Sequence, residues 1–226
     1  MGRIFYVSSM HGDDTNSGQT PEDAFRSLRK INQLEIQPGD QIFLERGSVF
    51  IGEYLHLYAG GTKEAPVVVD AYGEGALPRI ETDGNGIWYQ NYGGHLDNVV
   101  HTWKGYLSSA VLLYDAEYIS IRNLEITNNP CIKNERLNQA DRMNRTGVSV
   151  IAQNHGTLHQ IELDHLYIHD VEGNIYDKHL NNGGIYMSVS RPDDEEKTGI
   201  ARYDGVHIHH CKVEKCRRWG IAAGYT

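Results

Sequence analysis

A nine-residue pattern recurs three times in this chain without an insertion, and recurrence of that kind is satisfied by stacking similar units on one another. Residues 118–126, 160–168 and 205–213 align at steps of 42 and 45 residues. Four columns of the alignment are apolar in every copy: Ile119/Ile161/Val206, Ile121/Leu163/Ile208, Leu124/Leu166/Cys211 and Ile126/Ile168/Val213. Between the second and third columns stand Asn123, His165 and His210, where the alternation changes phase. Alternation, a break and renewed alternation describe a strand, a sharp bend and a second strand that still turns its apolar side inward. Glycine-led strands at 147–150, 184–189 and 220–223 supply a third side. Stacked at the parallel-strand spacing of about 4.8 Å, such coils bury the four columns as one core. The expected fold is all-β: a right-handed parallel β-helix with three strands per coil.

Before the repeats, Thr20, Pro21, Glu22 and Asp23 combine an N-cap residue, a proline at the first helical position and acids in the first turn. Ala24, Phe25, Leu28, Ile31 and Leu34 recur at helical spacing, so the pattern predicts an amphipathic capping α-helix over residues 21–34. Past Pro38, Gly39 and Asp40 the period falls to two, with Ile42 and Leu44 and then Leu55 and Leu57 on one side. The organisation expected is an N-terminal strand and capping helix in residues 1–40, followed by coils over 41–226. Because the chain stops at Thr226 just after a glycine-led strand, these coils are expected to be the N-terminal part of a longer β-helix, with self-association through the exposed last rung.

Composition narrows the partners. With 21 basic and 30 acidic residues the net charge is −9, which argues against nucleic acid, and no apolar run is long enough for a membrane span. The start lacks the apolar stretch of a signal peptide. Cys131, Cys211 and Cys216 cannot all pair with one another, so a reducing compartment is favoured, unless an export signal has been removed.

Several segments resemble a known group. Tyr6 to Ser9, the run from Gly12 to Gly18, Pro38 to Asp40, and Ala71 to Gly75 with Pro78 resemble the opening of pectate-lyase-like β-helix proteins. The run around Asn123 and the pair His169 and Asp170 are similar to their repeats. The N-terminal half is most similar to β-helical glycoside hydrolases with α-fucosidase and xylanase members. The resemblance implies carbohydrate chemistry, with an oligo- or polysaccharide in the groove bordered by strands and loops.

The repeat register aligns outward columns as Arg122, Asp164 and His209, and as Asn128, Asp170 and Lys215. Asp170 leaves the strand ending at Ile168, Glu172, Asp177 and His179 follow it, and Arg217, Arg218 and Trp219 occupy the equivalent loop one rung on. Alignment sets Glu172 level with Arg217 and Asp170 level with Lys215, so these acids stay ionised. Asp177 lacks such a partner and is the expected general acid, with Asp170 as its counterpart and His179 as a titratable group nearby. Arginines 217 and 218 suit saccharide carboxylates, and an outward-facing Tyr186 together with Trp219 would stack on a sugar ring. Carboxylates one rung apart would approach the roughly 5 Å of retaining glycosidases, and two rungs would give about the separation of inverting ones.

His207, His209 and His210 are read as a solvated face, so no metal site is expected there. Asp193 to Glu196 reads as a solvated loop tip, and Asp13, Asp14 and Asn16 as a turn. No cofactor is expected; calcium is the one ion those two acidic segments could hold. Carboxylates outnumber lysine and arginine in the loop after Asp170, which favours glycoside hydrolysis over β-elimination by a polysaccharide lyase. The alternative outside catalysis is a carbohydrate-binding or adhesive protein.

Overall fold

A computed structural model describes residues 2–91, 104–129, 143–174 and 181–224. The chain is all-β, built on three largely parallel sheets. After β1 (Ile4–Val7) and the short helix α1 (Leu28–Asn32), it visits the three sheets in a fixed order. The first passage is β2 (Gln41–Glu45), β3 (Val49–Ile51) and β4 (Leu55–Leu57). The second is β5 (Val67–Tyr72), β6 (Arg79–Glu81) and, after β7 (Ile87–Asn91), β8 (Lys104–Tyr114). The third comprises β9 (Ile119–Arg122), β10 (Glu125–Asn128) and β11 (Asn144–Ala152). The fourth comprises β12 (Thr157–Asp164), β13 (Tyr167–Val171) and β14 (Gly183–Val189). Helix α2 (Glu195–Thr198) precedes the fifth, β15 (Arg202–His209), β16 (Lys212–Cys216) and β17 (Ile221–Ala223). Each described strand but β7 pairs in parallel with its counterpart from the neighbouring passage; β7 pairs antiparallel with β8. No helix among the described residues is long and apolar enough to cross a membrane.

The register follows the apolar columns. Ile161 faces Ile119 and Val206, Leu163 faces Ile121 and Ile208, and Ile168 faces Ile126 and Val213. Ile121, Leu124, Ile126, Ile161, Leu163 and Ile168 have no exposed surface. The bend residues Asn123, His165 and His210 have φ of 56°, 50° and 52°. One left-handed residue turns the chain from the first sheet onto the second, and asparagine and histidine tolerate that region better than branched residues. Two of the glycines that lead into the third sheet are required by contact: a Cβ on Gly147 would lie 2.5 Å from Ile168 Cγ2, and one on Gly184 would lie 2.4 Å from Val213 Cγ1 and 2.6 Å from the Gly220 carbonyl oxygen.

The helix expected over residues 21–34 is not formed. Thr20 caps a single 3-10 turn, Pro21–Asp23, as its side chain accepts from the Asp23 amide, but Ala24 is already extended at φ −67°, ψ 148°. Phe25 then bridges Val7 of β1, taking the Tyr6 carbonyl and giving its own carbonyl to the Ser8 amide. Competing hydrogen bonds win here over helical propensity. Asp14 accepts the Arg26 and Ser27 amides and Glu53 accepts that of Leu28, so the five-residue α1 is started by carboxylates from elsewhere in the chain. Ala24, Phe25, Leu28 and Ile31 are nevertheless buried. The apolar spacing thus identified core residues without specifying the conformation that buries them.

Candidate active site

Asp170 lies near the end of β13, where the ladder slips. Ile168 pairs with Ile126 but Val171 pairs with Asn128, leaving Asp170 as the extra residue of a bulge with φ 49°. Lys215 occupies the same place on β16 with φ 51°, between the pairs His169–Glu214 and Val171–Cys216. A bulge turns a side chain away from the ladder, which suits a residue at a site. His169 Nδ1 lies 2.6 Å from Asp170 Oδ2, and its Nε2 lies 3.0 Å from Glu125 Oε1. Tyr167 stacks on the His169 ring at 4.3 Å and donates to Glu214 Oε1 at 2.6 Å. Glu214 accordingly sits below the usual carboxylate range, held there by Tyr167 and then Lys212. Asp170 thus stands at one edge of a continuous polar row on the second sheet.

Two residues beyond, Glu172 meets Arg217 across the passages at 3.0 Å, as the alignment implied. The Glu172 carbonyl accepts from Arg145 Nη1 at 2.7 Å, and Arg145 is 5% exposed. Arg218 lies over the Trp219 ring at 5.6 Å, and Trp219 is 45% exposed. The Trp219 backbone and Cβ close against Gly183, where an added Cβ would fall 2.3 Å from the Trp219 carbonyl oxygen.

Two expectations are corrected. Tyr186 is not an open sugar platform: it is 7% exposed, and a Cβ on Gly224 would lie 2.6 Å from its ring. Asn128 does not stack in an outward column with Asp170, because the bulge shifts the register and buries it completely. Its amide instead accepts from the Gly84 N–H at 2.9 Å and donates to the Thr146 carbonyl at 3.0 Å. Asp177 and His179 lie outside the described residues.

Beneath this corner runs a buried polar network that the sequence reading did not identify. Trp88 Nε1 donates to Ser109 Oγ at 2.8 Å, and Ser109 joins Ser149 and Thr146 at 3.0 and 2.7 Å. Gln90 and Asn181 bond reciprocally, amide to carbonyl and backbone N–H to amide, at 3.0 Å each. Strands β11 and β14 are buried almost throughout and β8 from Leu107 to Leu113, and Ser109, Thr146 and Ser149 bond one another there. The available signal was the run of Ser108, Ser109, Ser149 and Thr146 in otherwise apolar strands; periodicity reads such residues as solvent-facing. The acidic segments are engaged locally. Asp194 caps α2, Asp193 accepts from Asn154, and Asp13 and Asp14 accept from Thr15 and Ser27.

No family model matches the chain. Across 97–99% of its length it superposes on crystal structures of a GH136 lacto-N-biosidase from Eubacterium ramulus. The native protein gives 56% identity at a TM-score of 0.95, and the selenomethionine derivative 55% at 0.94. The fold is shared with that enzyme. A lacto-N-biosidase of Bifidobacterium longum subsp. longum is 38% identical over 257 aligned residues that take in the whole chain. The chain spans 16% of the Bifidobacterium protein and about a third of the Eubacterium one.

Proposed function

We propose that this chain is part of a glycoside hydrolase of the lacto-N-biosidase type, acting on oligosaccharides, with its passages wound as the right-handed three-strand coils of a β-helix. The observation that carries this reading is 56% identity at a TM-score of 0.95, over nearly the full chain, to an enzyme of that name. The names of the relatives offer no support for β-elimination.

Asp170 and Asp177 are the carboxylate pair. One carboxyl group protonates the departing glycosidic oxygen while the other attacks the anomeric carbon or activates water, and both geometries need two acids facing one groove. Asp170 has a backbone conformation that turns it off the ladder and a histidine partner 2.6 Å away that fixes its orientation. Arg217 engages Glu172 at 3.0 Å, so that third carboxylate is tied to a neighbouring passage. Trp219, the exposed aromatic of this corner, serves as the sugar platform in place of Tyr186.

Turnover of an aryl lacto-N-bioside tests the assignment. Asp170→Asn and Asp177→Asn should each lower kcat about a thousandfold with an unchanged circular dichroism spectrum. Azide rescue then assigns the roles by product stereochemistry: a glycosyl azide of inverted configuration marks the nucleophile variant and one of retained configuration the acid/base variant. Full activity in either variant removes that residue from the pair.

A further inference from the structure

We propose that Asp164, His165 and His210, with His209 beside them, bind a divalent transition-metal ion of the zinc class. The site lies at the corner between the first and second sheets, at the opposite end of β13 from Asp170. Asp164 ends β12, His209 ends β15 and the two are register partners. The next residue of each passage is a left-handed bend histidine, and the rings of His165 and His210 stack at 4.6 Å. Four side chains on two adjacent passages therefore converge.

Their distances are those of ligands around a shared centre. Asp164 Oδ1 lies 2.7 Å from His165 Nδ1, 2.9 Å from His209 Nδ1 and 3.0 Å from His210 Nδ1. His209 Nδ1 and His210 Nδ1 are 2.8 Å apart. Hydrogen bonds alone fit this poorly. To bond the carboxylate, each Nδ1 must carry a proton, and two N–H groups at 2.8 Å would then oppose each other. An ion about 2.0–2.1 Å from each ligand accepts the lone pairs of neutral imidazoles and the carboxylate together, and leaves ligand atoms roughly 3 Å apart.

The surroundings match a metal centre in two further respects. His209 Nε2 lies 3.2 Å from Glu162 Oε1, and Glu162 accepts from Ser120 Oγ at 2.6 Å. A carboxylate on the far ring nitrogen fixes the tautomer and raises the basicity of a histidine ligand. Arg122, the cation next to Asp164 in the column, pairs with Asp70 at 3.0 Å, so its charge is directed to another acid. Imidazole nitrogens with one carboxylate select zinc, cobalt or nickel over calcium or magnesium. The His165 and His210 side chains are 55% and 65% exposed, which leaves the ion open to water as a further ligand.

The metal-free chain should bind one equivalent of Zn2+ in competition with a chromogenic chelator, and Co2+ should give visible d–d absorption. His165→Asn/His210→Asn is the deciding variant, because Asn123 adopts the same bend conformation one passage earlier and shows that asparagine fits there. It should weaken Zn2+ binding at least about a hundredfold. Asp164→Asn, which leaves both bends intact, should weaken it as well. His155→Asn, at a separate pair with Glu117, should not. Absence of binding by the parent chain, or unchanged affinity in both site variants, overturns the proposal.

Discussion

The fourth and fifth passages carry the same apolar columns, yet bury them differently. Leu163, Ile168 and Ile185 have no exposed surface, whereas Ile208 and Val213 are only partly buried and Ile221 is 53% exposed. Their sequence patterns are interchangeable; their neighbours are not. Strands β12, β13 and β14 have a described neighbour on both sides, while β15, β16 and β17 have one on a single side. Burial in a stacked architecture is thus supplied by the adjacent passage.

The sharpest way to break this comparison is to truncate one column at both levels. Leu163→Ala should cost about 3 kcal/mol in urea unfolding, and Ile208→Ala about 1 kcal/mol, because a cavity is costly only where both sides are filled. Equal losses would show that the fifth passage is as well packed as the fourth.

A second contrast sets a buried histidine of the first passage against the exposed ones of the last. Burial pushes His56 down to about 4, while its ring nitrogen lies 2.9 Å from the Ser109 carbonyl oxygen. Between pH 6.5 and about 4 the unfolded chain binds a proton at this position that the folded chain refuses, so stability falls as the pH falls through that window. The full loss is on the order of 3 kcal/mol, and His56→Gln should flatten that part of the stability–pH curve. An unchanged acid slope in the variant would place the titration elsewhere.

Glycines sharpen the same point at backbone level. Gly184→Ala forces a Cβ into Val213 and the Gly220 carbonyl and should cost about 2 kcal/mol, whereas Gly220 has nothing within 4 Å and its alanine variant should melt within a degree or two of the parent. The smallest effect concerns thiols. Burial raises Cys216 to about 11 and also raises Cys211, so in a Cys131→Ser background both should react with Ellman's reagent at pH 8 far more slowly than free cysteine. Reaction at the free-thiol rate would mean that the fifth passage frays in solution.

Much of the strand arrangement was legible in the order of residues. The columns through Ile119, Ile121 and Ile126 and the bends at Asn123, His165 and His210 are the pairing register and the turns of the structure. The ion pair of Glu172 with Arg217 followed from the same alignment. Legibility failed where a long-range hydrogen bond outweighed a local preference. The segment after Thr20 has every local mark of a helix, but Asp14, Glu53 and the edge of β1 claim its amides. Counting residues points Asn128 and Tyr186 outward, whereas a bulge at the one and close covering contacts at the other place both inside.

By itself the sequence determined which residues repeat, where the chain bends and which side chains need a core, because those are properties of neighbours along the chain. The tertiary structure alone decided that a carboxylate and three histidines from two passages meet within hydrogen-bonding distance, and that Ser109 of β8, Ser149 of β11 and Asn181, just before β14, bond one another in the interior. Apart from that of Asp164 with its neighbour His165, those contacts join residues tens of positions apart. Their distances depend on the stagger of one strand against the next, and a one-residue slip at a bulge reverses which side of a strand faces the core.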